Sequence, residues 1–138
     1  MTTTLLAMPS AVPEPVNVGV VDDDENLRRS FARLLRASGM RPFTYPSAEA
    51  FLAEAGHLNF DCLVLDVQLP GMSGIELHEH LNALGNETAV VFITAYDDLG
   101  SRDKACAIGC AGYFRKSDSG KDVLNAIERV VARWRPGP

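Results

Sequence analysis

Five times between Val16 and Trp134 a short apolar run gives way to a stretch with helical spacing, and this alternation most constrains the fold. Val18-Gly19-Val20-Val21, Cys62-Leu63-Val64-Leu65 and Val90-Val91-Phe92-Ile93 are near-continuous apolar runs. Such runs read as strands buried on both faces, and intervening helices are what bury them. The pattern therefore predicts an α/β domain: a parallel sheet with helices on both sides. Strands are expected at Val16–Val21, Arg41–Tyr45, Cys62–Asp66, Ala89–Thr94 and Gly112–Arg115.

Each helix has its own signals. Leu27, Phe31, Leu34 and Leu35 form the stripe of the first, and Gly39 is placed to stop it. Ser47 is positioned to cap the second, which turns Phe51, Leu52 and Ala55 inward. Ser73 and Glu76 have capping-box spacing at the start of the third. Ile75, Leu77, Leu81 and Leu84 line that helix loosely, and Gly85 closes it. The fourth, about Ser101–Ile108, is the least amphipathic. The last, about Lys121–Trp134, carries Val123, Leu124, Ile127, Val130, Val131 and Trp134 at helical spacing before Pro136.

The 138 residues suit one domain with a single core. Residues 1–15, with three Thr and three Pro and no periodicity, read as a flexible tail. The folded unit is expected over 16–135, with 136–138 as a C-terminal end or linker stub. Only four residues follow Trp134, so no second domain is expected within this chain. A net charge of −5 argues against a nucleic-acid surface, where a basic patch is expected. No apolar stretch approaches the ~18 residues of a membrane span, and the N-terminal segment lacks the positive region of a signal peptide. Cys62, Cys106 and Cys110 show no CxxC spacing and read as reduced packing cysteines of a cytoplasmic protein. His57, His78 and His80 lack a zinc pattern, with His78 and His80 on different sides of a helix.

The chemistry gathers where the strands end. The first strand runs into Asp22-Asp23-Asp24, the third into Asp66, the fourth into Thr94 and the fifth into Lys116. In open α/β sheets, the C-terminal ends of the strands form the functional crevice. Asp22, Asp23 and Asp66 would converge there, and close like charges oppose ionising all three. A hard divalent cation relieves that repulsion, and Mg²⁺ suits one or two carboxylates plus water and phosphate oxygens. One carboxylate is then placed to accept a phosphoryl group, with Lys116 and Thr94 addressing its oxygens. Taken alone, Asp22–Asp24 read equally as the acidic start of a helix, and Asp24 is expected to do only that. Agreement among four strand ends favours the phosphoryl reading.

Together these segments resemble the receiver domain of two-component response regulators. The resemblance rests on Val20-Val21-Asp22-Asp23, on Leu65-Asp66-Val67-Gln68-Leu69-Pro70-Gly71-Met72-Ser73-Gly74, on Ile93-Thr94-Ala95 and on Gly109 to Lys116. It implies a flavodoxin-like five-stranded sheet of order 2-1-3-4-5 with five helices. It also implies Asp66 as phosphoacceptor, Asp22 and Asp23 as the acidic pocket, and Mg²⁺ bound by Asp22, Asp23, Asp66 and the Gln68 backbone carbonyl. Asp22 more often acts there through water. Thr94 is then the switch hydroxyl, Lys116 the phosphoryl partner and Tyr113 the switch aromatic. The implied function is that of a phosphorelay signalling module, not an enzyme. It takes a phosphoryl group from a histidine kinase or histidine phosphotransfer protein. It then presents its fourth helix–fifth strand–fifth helix face to a downstream protein or a second copy. The first helix would face the phosphodonor. No membrane or nucleic-acid contact is implied.

The sequence departs from the family pattern at Ser117, where most receivers have a proline after the lysine. Lys116–Ser117 is therefore either trans or held cis at ~3 kcal/mol. Gln68 and Tyr96 occupy positions expected to tune phosphoryl lifetime, with Tyr96 shielding the acyl phosphate from water. Gln68 also weighs against an aspartyl-nucleophile phosphatase, which needs an acid there. A flavin-binding flavodoxin would need a Ser/Thr/Gly-rich phosphate loop after the first strand, where Asp22-Asp23-Asp24-Glu25 would repel a phosphate unless a metal intervened. The alternative is a phosphorylation-independent receiver acting as an interaction module.

Overall fold

The computed structural model describes residues 15–54, 59–95, 99–118 and 120–134. In chain order the elements are β1 (Asn17–Val21), α1 (Glu25–Ala37), β2 (Arg41–Tyr45), α2 (Ala48–Glu54), β3 (Cys62–Asp66), α3 (Gly74–Ala83), β4 (Ala89–Thr94), α4 (Leu99–Ala107), β5 (Gly112–Arg115) and α5 (Gly120–Trp134). All strand pairings are parallel, in the order β2-β1-β3-β4-β5. This is the flavodoxin-like arrangement, and the order reverses between β1 and β3, which opens a crevice at that sheet edge.

The sheet separates two cores, because successive side chains on a strand point to opposite faces. Val21, Leu63, Leu65, Val90 and Phe92 pack on one side with Phe51 of α2, Leu77 of α3 and Ala105 of α4. Val18, Val20, Val64, Val91 and Ile93 pack on the other with Leu35 of α1 and Ile127 of α5. Every residue of β3 is buried, as expected for a central strand covered on both faces.

The local signals act as their chemistry predicts. Asp24 caps α1, its Oδ1 accepting from Asn26 N at 2.9 Å and Leu27 N at 3.3 Å. Gly39, at φ +80°, follows the end of α1. Ser47 Oγ accepts from Ala50 N at 3.0 Å at the start of α2. Ser73 and Glu76 close a capping box, with bonds of 3.1 and 2.9 Å.

Three expectations need correction. Leu84 is 69% exposed, because α3 ends at Ala83 and the chain reverses at Gly85. Trp134 is 67% exposed. The 15 residues of α5 span about 22 Å and the four of β5 only about 13 Å, so the last turn overhangs the sheet. The fourth helix starts at Leu99, two residues earlier than its apolar pattern indicates. Ala55, His57 and Tyr96, each assigned a role or reading above, lie outside the described residues. Among the described residues no helix is long and apolar enough to cross a membrane.

Candidate functional site

Asp22 follows the last residue of β1, and its backbone N–H donates to Tyr45 O at 3.1 Å, which ties it to the end of β2. Its side chain is fully buried. Oδ1 accepts from Asp24 N at 2.8 Å, and the Arg28 guanidinium donates to its carbonyl oxygen at 2.7 Å. Asp23, next in the chain, is exposed. Asp66 is the last residue of β3 and is 2% exposed. Carboxylate oxygens of Asp22, Asp23 and Asp66 lie within 4.8 Å of one another. The three acids singled out in the sequence therefore form one cluster.

Lys116 reaches into that cluster from the loop after β5. Its Nζ lies 2.8 Å from Asp66 Oδ2 and 2.9 Å from Asp22 Oδ2. The other Asp66 oxygen, Oδ1, accepts from Gln68 N at 3.0 Å. The backbone holds Lys116 in register, its N–H donating to Thr94 O at 2.7 Å. Among the described residues no peptide bond is cis, so Lys116–Ser117 is trans, and the lysine reaches both carboxylates with that geometry.

Electrostatics follow from burial and these contacts. Burial pushes the Asp66 carboxyl above its ordinary value. The Lys116 and Gln68 hydrogen bonds oppose that push, and the nearby Asp22 charge adds to it. For Lys116, burial pulls the ammonium down, but hydrogen bonds and attraction from Asp66 and Asp22 outweigh it, and the net shift is upward.

Thr94 ends β4, fully buried and one residue past Ile93, the residue paired with Asp66 across the sheet. Tyr113 on β5 is half-buried and stands farther out on the sheet. Its ring lies 6.3 Å from that of Phe92, and the Arg102 guanidinium of α4 sits 5.0 Å from the ring centroid.

Two supporting contacts escaped sequence reasoning. Glu49 of α2 accepts from Met72 N at 2.8 Å and so clamps the β3–α3 loop. Backbone hydrogen bonds, that of Met72 foremost, hold the Glu49 carboxyl below its ordinary value. The second contact is Arg28 on the Asp22 carbonyl. Neither partnership shows in periodicity, since Glu49 and Met72 are 23 residues apart. Gly74, in contrast, lies within the quoted motif and its reason is now visible. A Cβ there would collide with the Asp66 carbonyl oxygen, so α3 packs against the end of β3 only because this position has no side chain.

A flavodoxin-like sheet with an acid cluster and a lysine at its C-terminal edge defines a class of signalling domain, and comparison with known proteins agrees. The response regulator receiver domain family matches residues 18–128. The chain belongs to that family. It is 36% identical over 122 residues to the transcriptional regulatory protein FixJ of Azorhizobium caulinodans, covering 88% of this chain and 58% of that protein. It is 36% identical over 112 residues to the response regulator protein TmoT of Ectopseudomonas mendocina, covering 81% of this chain and 51% of that protein. The chain thus spans little more than half the length of these relatives. Among solved structures, FixJ-N superposes with a TM-score of 0.78 at 33% identity, covering 86% of this chain and 95% of that one. A CheY-like receiver domain protein of Methanospirillum hungatei gives 0.81 at 25% identity, covering 90% and 100%.

Proposed function

We propose that this receiver is a phosphoacceptor switch of a two-component or phosphorelay system, with Asp66 taking the phosphoryl group. The observation that carries this reading is the position of Lys116 Nζ, within 2.9 Å of both Asp22 and Asp66 in a cluster of three carboxylates.

The donor set fits a hard divalent cation: three carboxylates converge from two strand ends, with oxygens within 4.8 Å of one another. Asp22, Asp23, Asp66 and the Gln68 backbone carbonyl would hold Mg²⁺, with Asp22 acting directly or through water. When bound, Mg²⁺ supplies neutralisation of the charge on the transferring phosphoryl oxygens. The residues of the chain do the rest. An Asp66 carboxylate oxygen attacks phosphorus in line, the O–P bond forms as the P–N bond of a phosphohistidine breaks, and the imidazole departs. Lys116 turns from the carboxylates to the phosphoryl oxygens, and Thr94 donates a hydroxyl hydrogen bond to one of them. Movement of Thr94 vacates space for Tyr113, whose ring leaves the α4–β5–α5 face, a shift between two packings biased by phosphate contacts.

In this reading the phosphodonor is a histidine kinase or histidine phosphotransfer protein, with α1 facing it. The output is a downstream protein, or a second copy of the chain, on the α4–β5–α5 face. The setting is cytoplasmic, the folded unit covers 16–135, and the chain makes no nucleic-acid or membrane contact of its own. Its chemistry ends at self-phosphorylation from small donors and autodephosphorylation, so it is a signalling domain, not an enzyme. The test is intact mass after incubation with acetyl phosphate and Mg²⁺. A single phosphoryl adduct is expected in the wild type and none in Asp66→Asn or without Mg²⁺. Folded wild type that takes up neither phosphate nor beryllofluoride would establish the phosphorylation-independent alternative.

A further inference from the structure

Two of the three cysteines, Cys106 in the last turn of α4 and Cys110 just past its end, lie four residues apart. The helix stops in a paired cap: Gly109 N donates to Cys106 O at 3.0 Å and Cys110 N donates to Ala105 O at 3.2 Å, with Gly109 at φ +84°. This is a Schellman motif, in which the residue after the left-handed glycine folds back over the last helical turn. The reversal folds Cys110 back beside the turn that holds Cys106, and burial first, with the neighbouring Cys106 next, pushes the Cys110 thiol up.

Their surroundings differ. Cys106 is exposed, whereas Cys110 is half-buried and packs against the core with Ile108 and Tyr113. Cys62 is separate from both: it is fully buried in β3, and burial pushes its thiol up to about 12. An exposed thiol beside a shielded second thiol is the arrangement of a first-oxidised and a resolving cysteine.

We propose that Cys106 and Cys110 form an oxidisable dithiol that closes to a disulfide in response to a peroxide. The Cys106 thiolate attacks one peroxide oxygen, the O–O bond breaks, and the departing hydroxide takes up a proton to become water. Cys106 is left as a sulfenic acid. The Cys110 thiolate then attacks that sulfur, the S–S bond forms, the S–O bond breaks, and a second water leaves after protonation. Two thiols and one peroxide give one disulfide and two waters. The bond would tie the last turn of α4 to the segment that enters β5. Because Arg102 of α4 covers the ring of Tyr113 on β5, oxidation would pin two elements of the face that carries this tyrosine. In a reducing compartment such a bond is transient, which suits sensing.

The experiment treats the full chain with hydrogen peroxide, blocks free thiols by alkylation under denaturing conditions and maps the tryptic peptide 105–115, which holds both cysteines. The expected wild-type product is this peptide short of two hydrogens and closed to alkylation until dithiothreitol is added, with Cys62 alkylated in full. In Cys110→Ala the expected product is a Cys106 sulfenic acid captured by dimedone. The proposal is overturned if wild-type Cys106 and Cys110 both remain alkylatable, or if Cys106 goes only to intermolecular dimers or a sulfonic acid while Cys110 stays free.

Discussion

The Lys116 ammonium lies 2.9 Å from Oδ2 of Asp22, a fully buried residue. Lys116 arrives from the loop after β5 and Asp22 from the end of β1, so the pair spans the crevice where the strand order reverses. The same ammonium holds Asp66 at 2.8 Å. One cation therefore restrains the repulsion within a cluster of three carboxylates.

Removing that cation should expose the repulsion. Lys116→Met is expected to lower stability by about 2 kcal/mol, less than a fully buried pair would lose. The reduction follows from the 21% exposure of the lysine side chain. Mg²⁺ should recover more stability in the variant than in the wild type, since it replaces the lost positive charge. Urea melts with and without Mg²⁺ measure both effects. Absence of any Mg²⁺ response would show that the cluster does not hold the cation, and equal non-zero responses would show that Lys116 does not offset the charge that Mg²⁺ neutralises.

Gly74 makes a sharper steric prediction. Its missing Cβ is the space occupied by the Asp66 carbonyl, which is backbone and has no rotamer to change. Gly74→Ala should therefore cost about 2 kcal/mol or more by overpacking, despite the better helix propensity of alanine. Denaturant melts give the value, and a neutral or stabilising result would mean that α3 is free to slide away from the end of β3.

The sequence made the strands legible because four of the five occupy the spans their apolar runs indicate, and β1 differs by one residue. In β1, β3 and β4, buried on both sides, no polar face blurs the pattern. The acid cluster was legible for a related reason: each of its residues ends or follows such a run. Trp134 misled because helical spacing reports which face a residue shares, not whether the sheet extends beneath it. Glu49 and Arg28 were hidden because their partners are backbone atoms of other segments, which no side-chain pattern encodes. The fold-back of Cys110 towards Cys106 was hidden because CxxC spacing is a signal for metal and redox motifs, whereas here a left-handed glycine closes a wider spacing.

The Glu49 clamp should be sensitive to acid. Its carboxyl titrates below the ordinary value, with the Met72 N–H as the leading cause. A depressed folded value means that the clamp is present above the ordinary carboxylate range and is lost as pH falls through the lowered one. Glu49→Ala should speed amide exchange at Met72 at neutral pH, and acid should narrow the difference between variant and wild type. Hydrogen exchange of the β3–α3 loop decides it: equal Met72 protection in both proteins at neutral pH would remove Glu49 from the support of this loop.

His78 supplies the pH dependence of the core itself. It is 4% exposed on α3, its Nδ1 is buried without a hydrogen-bond partner, and its ring lies 5.7 Å from that of Phe92. Burial pulls its pKa below the ordinary 6.5, with Glu79 opposing. Between the two values the unfolded chain binds more protons than the native one, so stability rises with pH across that window. The contribution is complete above the unfolded value and is lost as pH falls towards the lowered folded one. Going from about pH 7.5 to about pH 5.5, the wild type should lose more thermal stability than His78→Leu, in which that titration is absent. Melting temperatures at the two pH values give the comparison, and parallel losses in both proteins would show that the imidazole protonates in the core as readily as in water.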